Sequence, residues 1–162
     1  MTTLLRPATV QDADALGSLH MACWREAYGD LLSAEFFERA TPESSAERWA
    51  ITIPRLASDG GTLLLAEEDG ELVGFASSGP GRGEAPPREL ELYAIYVRAS
   101  AYGSGLGQRL LDAALGDRPA SLWVLERNPR ARAFYERNGF APDGTTELLP
   151  RFENLVEIRL VR

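Results

Sequence analysis

Residues 89–111 read ELELYAIYVRASAYGSGLGQRLL, and the passage changes character at Arg98. Glu89–Arg98 reads as a β-strand. Strand side chains alternate between faces, which puts Leu90, Leu92, Ala94 and Tyr96 on one side and Glu89, Glu91, Tyr93, Ile95 and Val97 on the other. Both faces are mainly apolar near the centre, as expected of an inner strand. Glu91 has two readings: a carboxylate in apolar surroundings, where proton affinity rises toward that of a useful base, or a residue at the strand's solvated end. Beyond the strand, Gly103, Gly105 and Gly107 alternate along Tyr102–Gln108 and open a helix over 103–115. Uncovered N–H groups at a helix start suit a phosphate or pyrophosphate; the same turn also serves a purely structural role. The dinucleotide fingerprint GxGxxG is not met, because its third glycine falls on Gln108.

Working outward, Leu4–Arg6 reads as a first strand ended by Pro7, and Thr9 with Asp12 opens a helix in the manner of a capping box. Leu16, Leu19, Cys23 and Ala27 share one face of that helix. A short turn holds Phe36 and Phe37, and Thr41-Pro42 starts a second helix that is expected to fray near Pro54. Strands at 62–67 and 71–78 flank Asp69-Gly70, a hairpin signal. Residues 79–88 (GPGRGEAPPR) form a loop. A short buried strand at 121–125, a helix from Asn128-Pro129 to Asn138 stopped by Gly139, and two closing strands complete the chain. The order β-α-α-β-β-β-α-β-α-β-β predicts an α/β (α+β-like) fold with one mixed sheet. With 162 residues and 44% hydrophobic content, residues 1–162 read as a single domain.

Composition excludes several chemistries. One cysteine, Cys23, allows no intrachain disulfide or CxxC site, and one histidine, His20, allows no two-histidine metal site. All 17 basic residues are arginine, which removes the P-loop lysine and Schiff-base catalysis. No metal site is expected. A net charge of −7 disfavours nucleic acid, and no apolar run is long enough for a membrane helix. With no signal-peptide core at the start, the chain reads as cytoplasmic. The charge is uneven: residues 1–97 carry −9, residues 98–137 carry +3 and residues 138–162 carry −1. The basic stretch coincides with the glycine-rich turn and suggests an anion site, or a chance cluster on solvated helices.

The third informative segment, LWVLERNPRARAFYERNGF (122–140), sets Tyr135 seven residues after Asn128 and so on nearly the same helical face. Tyr135 is either a ligand-holding or proton-donating group or a core aromatic.

A strand ending in Tyr96-Val97, a GxGxG helix start, a further strand and then N-x-x-A-x-x-F-Y-x-x-x-G-F together resemble the GNAT superfamily of acetyl-CoA-dependent N-acetyltransferases. The motifs cover Glu89–Phe140. Of the family's [Q/R]-x-x-G-x-[G/A] motif, Gly105 and Gly107 match, while Tyr102 stands where the family has Gln or Arg. The resemblance implies a single, mostly antiparallel sheet flanked by helices, and acetyl-CoA as cosubstrate. It implies that the backbone of Ile95, Tyr96 and Val97 pairs with the pantetheine arm. It places the pyrophosphate on the turn Tyr102, Gly103, Ser104, Gly105, Leu106, Gly107 and Gln108, and Asn128 near the thiol. Glu91 becomes the general base and Tyr135 the acid toward the thiolate, in direct attack by an amine on the thioester. Trp24 and Tyr28, i,i+4 neighbours in MACWREAY, line the acceptor pocket or pack in the core; His20 and Cys23 read as structural. The expected acceptor is a primary amine of a small molecule or peptide, and the expected partner a second copy in a homodimer. The other functional reading is a non-catalytic acyl-CoA-binding or sensor domain of the same fold.

Overall fold

The computed structural model describes residues 2–162. Strand β1 (Leu4–Pro7) leads through a tight turn to helix α1 (Ala13–Tyr28), followed by α2 (Ala34–Arg39) and α3 (Pro42–Ser58). Strands β2 (Thr62–Glu68), β3 (Glu71–Pro80) and β4 (Leu90–Val97) precede helix α4 (Leu106–Leu115). Strand β5 (Ser121–Leu125), helix α5 (Pro129–Arg137), β6 (Ala141–Leu149) and β7 (Leu155–Val161) follow. The seven strands form one sheet in the order β1-β2-β3-β4-β5-β7-β6. Every neighbouring pair is antiparallel except β4 and β5. This is the predicted mixed, mostly antiparallel α/β architecture. Among the described residues no helix is long and apolar enough to cross a membrane.

Helices cover both faces. On one, Leu110, Leu111 and Leu115 of α4 and Tyr135 of α5 pack with Leu92, Leu122, Ile158 and Leu160. On the other, Leu16, Leu19 and Cys23 of α1 and Trp49, Ile53 and Leu56 of α3 pack with Leu65 and Phe75. Gly17 lets α1 and α3 touch: a Cβ there would lie 2.6 Å from the Ala46 nitrogen and the Pro42 carbonyl. The Asp69-Gly70 turn has φ of 53° and 83°, the doubly positive geometry a two-residue hairpin needs.

Three expectations are corrected. The turn at Phe36 and Phe37 is a helix, capped by the Ser33 hydroxyl accepting the Phe36 N–H at 3.2 Å. Helix α3 does not fray at Pro54 but continues to Ser58. Pro54 and Ala50 are both exposed, which leaves the carbonyl that loses its donor on the solvent side of the helix, while burial of Ile53 and Leu56 holds the last turn. The alternation of β4 also breaks. Ser77 pairs with Ala94 and Ser78 with Leu92, leaving Tyr93 as an extra residue. This bulge flips the parity. Leu90, Leu92, Ile95 and Val97 all face α4 and α5, and Tyr93, Ala94 and Tyr96 face α1 and α3.

Candidate active site

Parallel pairing of β4 with β5 is confined to Glu91–Ser121 and Leu92–Leu122. Beyond these two pairs the strands part, and the β5-facing backbone edge of β4 is left open toward Val97. A cavity of about 1050 Å³ occupies the resulting seam and reaches both faces of the sheet. At one end lies the turn before α4. Gly103 and Gly105 have φ of 74° and 85°, and a Cβ on either would meet nothing within 4 Å. The amides of Gly103, Gly105, Gly107 and Gln108 have no backbone partner at the open end of α4. Ser104 and Leu106 do not share this arrangement and do not line the cavity. The Ser104 N–H donates to the Ala101 carbonyl at 3.2 Å, the Leu106 N–H to the Ser104 hydroxyl at 3.3 Å, and the Leu106 side chain is buried in the core.

Tyr102 meets a residue that sequence reasoning missed. The Arg130 guanidinium carbon stands 3.2 Å from the centre of the Tyr102 ring, and both residues line the cavity. The cation lacking at position 102 is thus brought to the turn from the first turn of α5 by stacking. Arg130 lies inside the quoted N-x-x-A motif, but only the fold shows which aromatic ring it covers.

The middle of the cavity is lined by Ile95, Tyr96, Val97, Asn128 and Tyr135. Asn128 caps α5, its side-chain oxygen accepting the Ala131 N–H at 3.2 Å. Tyr135 is a core aromatic that also forms part of the cavity wall. Burial pushes its phenol well above the ordinary tyrosine range, so it stays protonated at neutral pH. Tyr96 turns to the opposite face, where its hydroxyl lies 2.9 Å from that of Tyr28.

At the far end, Trp24 packs edge-on to Tyr28 and against Phe152, and lines the cavity with both. Its indole N–H is buried with no hydrogen-bond partner. His20 lies outside the cavity wall; its Nδ1 is 3.0 Å from the Ser45 hydroxyl and accepts from the Trp49 indole at 3.3 Å. Burial lowers its pKa to about 4.

Glu91 is buried, at 3% exposure, but its surroundings are not apolar. Its carboxylate accepts the Arg82 N–H at 3.0 Å and the Arg82 Nε at 2.9 Å, with the guanidinium closing a salt bridge. It does not line the main cavity. It faces a smaller one of about 460 Å³, walled also by Ser121, Glu147 and Arg159. The expectation of apolar surroundings fails because the partner comes from the 79–88 loop, whose path no strand pattern gives. A second carboxylate does reach the main cavity. Glu157 of β7 is half-buried, and burial together with neighbouring Glu147 raises its pKa to about 7. A charged pair, Glu157 and Arg159, on a strand flanked on both sides was the available signal.

The sheet thus opens in a seam between its two parallel strands, and a glycine turn at a helix start lies beside that seam. Residues 14–140 match the profile of the acetyltransferase (GNAT) family, and the chain belongs to that family. A probable N-acetyltransferase of Mycobacterium tuberculosis is 30% identical over 147 residues, covering 88% of this chain and 82% of the relative. The PaiA N-acetyltransferase from Thermoplasma acidophilum, solved in complex with coenzyme A, superposes with a TM-score of 0.74 at 22% identity, covering 98% of each chain. A ribosomal-protein-alanine N-acetyltransferase from Brucella melitensis superposes with a TM-score of 0.71 at 25% identity, again over 98% of each chain.

Proposed function

We propose that this protein transfers the acetyl group of acetyl-CoA to a primary amine of a small molecule or peptide. The observation that carries this reading is the through-cavity. It joins a turn rich in free amides on one face to an aromatic wall on the other by way of an unpaired strand edge. The residues fit the cosubstrate: open space at Gly103 and Gly105, donors at Gly107 and Gln108, and the Arg130 cation suit phosphates. The open edge of β4 suits an amide-bearing arm. Acetyl-CoA supplies the activated thioester. Asn128 and the β4 edge orient it, Tyr135 holds a proton for the departing sulfur, and Trp24, Tyr28 and Phe152 shape the acceptor's space. Placement of the two reactants supplies much of the acceleration. The Brucella relative's name specifies a protein alanine as acceptor, which keeps peptide amines within the class.

Calorimetry with acetyl-CoA on wild type and Gly105→Glu tests the reading. The added carboxylate repels phosphate, and binding weakens at least about 100-fold, while the left-handed backbone costs the fold only about 1–2 kcal/mol. Unchanged affinity removes the assignment of the turn. Acetyl-CoA binding without thiol release across a panel of amines identifies a non-catalytic binding domain instead.

A further inference from the structure

The two cavities share three wall residues, Arg82, Trp123 and Glu157, so Glu157 stands where the smaller one meets the seam. Its strand neighbours fix its direction. It lies opposite Leu125 on β5 and Glu147 on β6. Ile158 and Leu160, adjacent in parity, pack toward α4 and α5; Leu155 packs with Tyr28 and Phe36. Glu157 therefore projects on the face that carries Trp24 and Tyr28, away from the glycine turn.

Among the other carboxylates on these walls, Glu84 is exposed on the 79–88 loop, while Glu91 and Glu26 are engaged. Glu91 is bound by Arg82, and Glu26 accepts the Arg98 guanidinium and the Ala99 N–H at 2.8 Å. Arg159, the nearest cation on Glu157's own strand, is paired with Asp143 at 2.6 Å. Among the described residues Glu157 and Glu147 take part in no salt bridge. Two carboxyl groups opposite one another on adjacent strands repel and destabilise the sheet, and here Arg82, which offsets part of the cost, is itself paired with Glu91.

We propose that Glu157, with Glu147 beside it, is the general base that takes the proton from the acceptor's ammonium, the smaller cavity being the acceptor's approach. This rests on the acetyl-transfer reading. An ammonium carries no lone pair. Glu157 accepts one of its three protons and later passes it to water. The freed nitrogen forms the C–N bond to the acetyl carbon as the C–S bond breaks. A second proton leaves the nitrogen and ends on the sulfur, and the third stays on the amide. A carboxylate poised near neutrality suits this exchange. The groups that set its poise are Glu147 on β6, Arg82 on the loop, Glu91 on β4 and Tyr28 on α1.

The test uses the full chain with acetyl-CoA and three amines as probes: phenethylamine, tryptamine and an alanine-initiated peptide. Glu157→Gln is expected to lower kcat/KM at pH 7 about 10²–10³-fold, within the range of a positioned base, and to leave acetyl-CoA affinity unchanged by calorimetry. The rise of kcat/KM centred near pH 7 disappears. Glu147→Gln keeps the base but removes the neighbouring charge, so that rise moves to lower pH. Carbon-13 NMR of the glutamate carboxyls, without any substrate, shows one group titrating near pH 7 that is missing in Glu157→Gln. A Glu157→Gln protein that keeps the rate and the pH profile, or a wild type with no carboxyl titrating above pH 6, overturns the base role while transfer stands. Wild type that binds acetyl-CoA and acetylates none of the probes overturns the transfer reading, and the base role with it.

Discussion

On the proposed reading, a single phenol holds the proton for the departing sulfur. Tyr135 is buried and protonated at neutral pH, so Tyr135→Phe keeps the ring and its contacts with Phe134 and Phe140 but removes the proton. The expected result is a kcat lower by about 10–10³-fold, the lower end of general-acid effects, with acetyl-CoA affinity unchanged in calorimetry. A raised KM at constant kcat makes the hydroxyl a binding group instead. The position of Tyr135 was legible because Asn128-Pro129 fixes the helix start, and with it the register seven residues on. Glu91 was not legible in the same way. Its strand was evident, but its environment depends on Arg82, which belongs to a glycine- and proline-rich loop with no periodicity. Glu157 was missed because its meaning lies in the cross-strand register with Glu147 and Leu125, and strand pairing is long-range information.

At the level of elements, strands and helices announced themselves through turn residues and caps: Asp69-Gly70, Thr41-Pro42, Asn128-Pro129. What propensity could not weigh was the packing that overrides it, as where buried Ile53 and Leu56 carry α3 past Pro54. Nor does any residue type mark the Tyr93 bulge, which arises from fitting β4 to β3. Gly17 is the corresponding case between helices, since nothing in the α1 sequence shows that α3 crosses there. Gly17→Ala has no room for its methyl group, which would press on Ala46 and Pro42 backbone atoms rather than on movable side chains. We expect a loss of about 1–3 kcal/mol, the usual cost of overpacking, read as a lower midpoint in chemical denaturation. An unchanged midpoint shows that the helix pair shifts freely.

For the whole molecule, the charge map and the fold agree. The basic stretch 98–137 runs through the glycine turn, α4, β5 and α5, and its Arg130 and Arg137 reach the cavity wall, while acids outnumber arginines in the rest of the chain. The absence of lysine has its own outcome. The protein holds no side-chain amine to acetylate, so incubation with acetyl-CoA should leave every internal peptide free of N-acetyl groups by mass spectrometry. Internal N-acetylation would overturn that expectation. The parted strands carry a last implication. Successive amides of a strand point to opposite neighbours, and along β4 one neighbour, β3, is present to Val97 while the other has gone. Past Leu92, bulge aside, amide protons directed at β3 are sheltered and those directed at the seam trade freely with heavy water. The strand is a comb of slow and fast teeth, and the proposed docking of the acetyl-CoA arm along it is expected to turn its fast teeth slow.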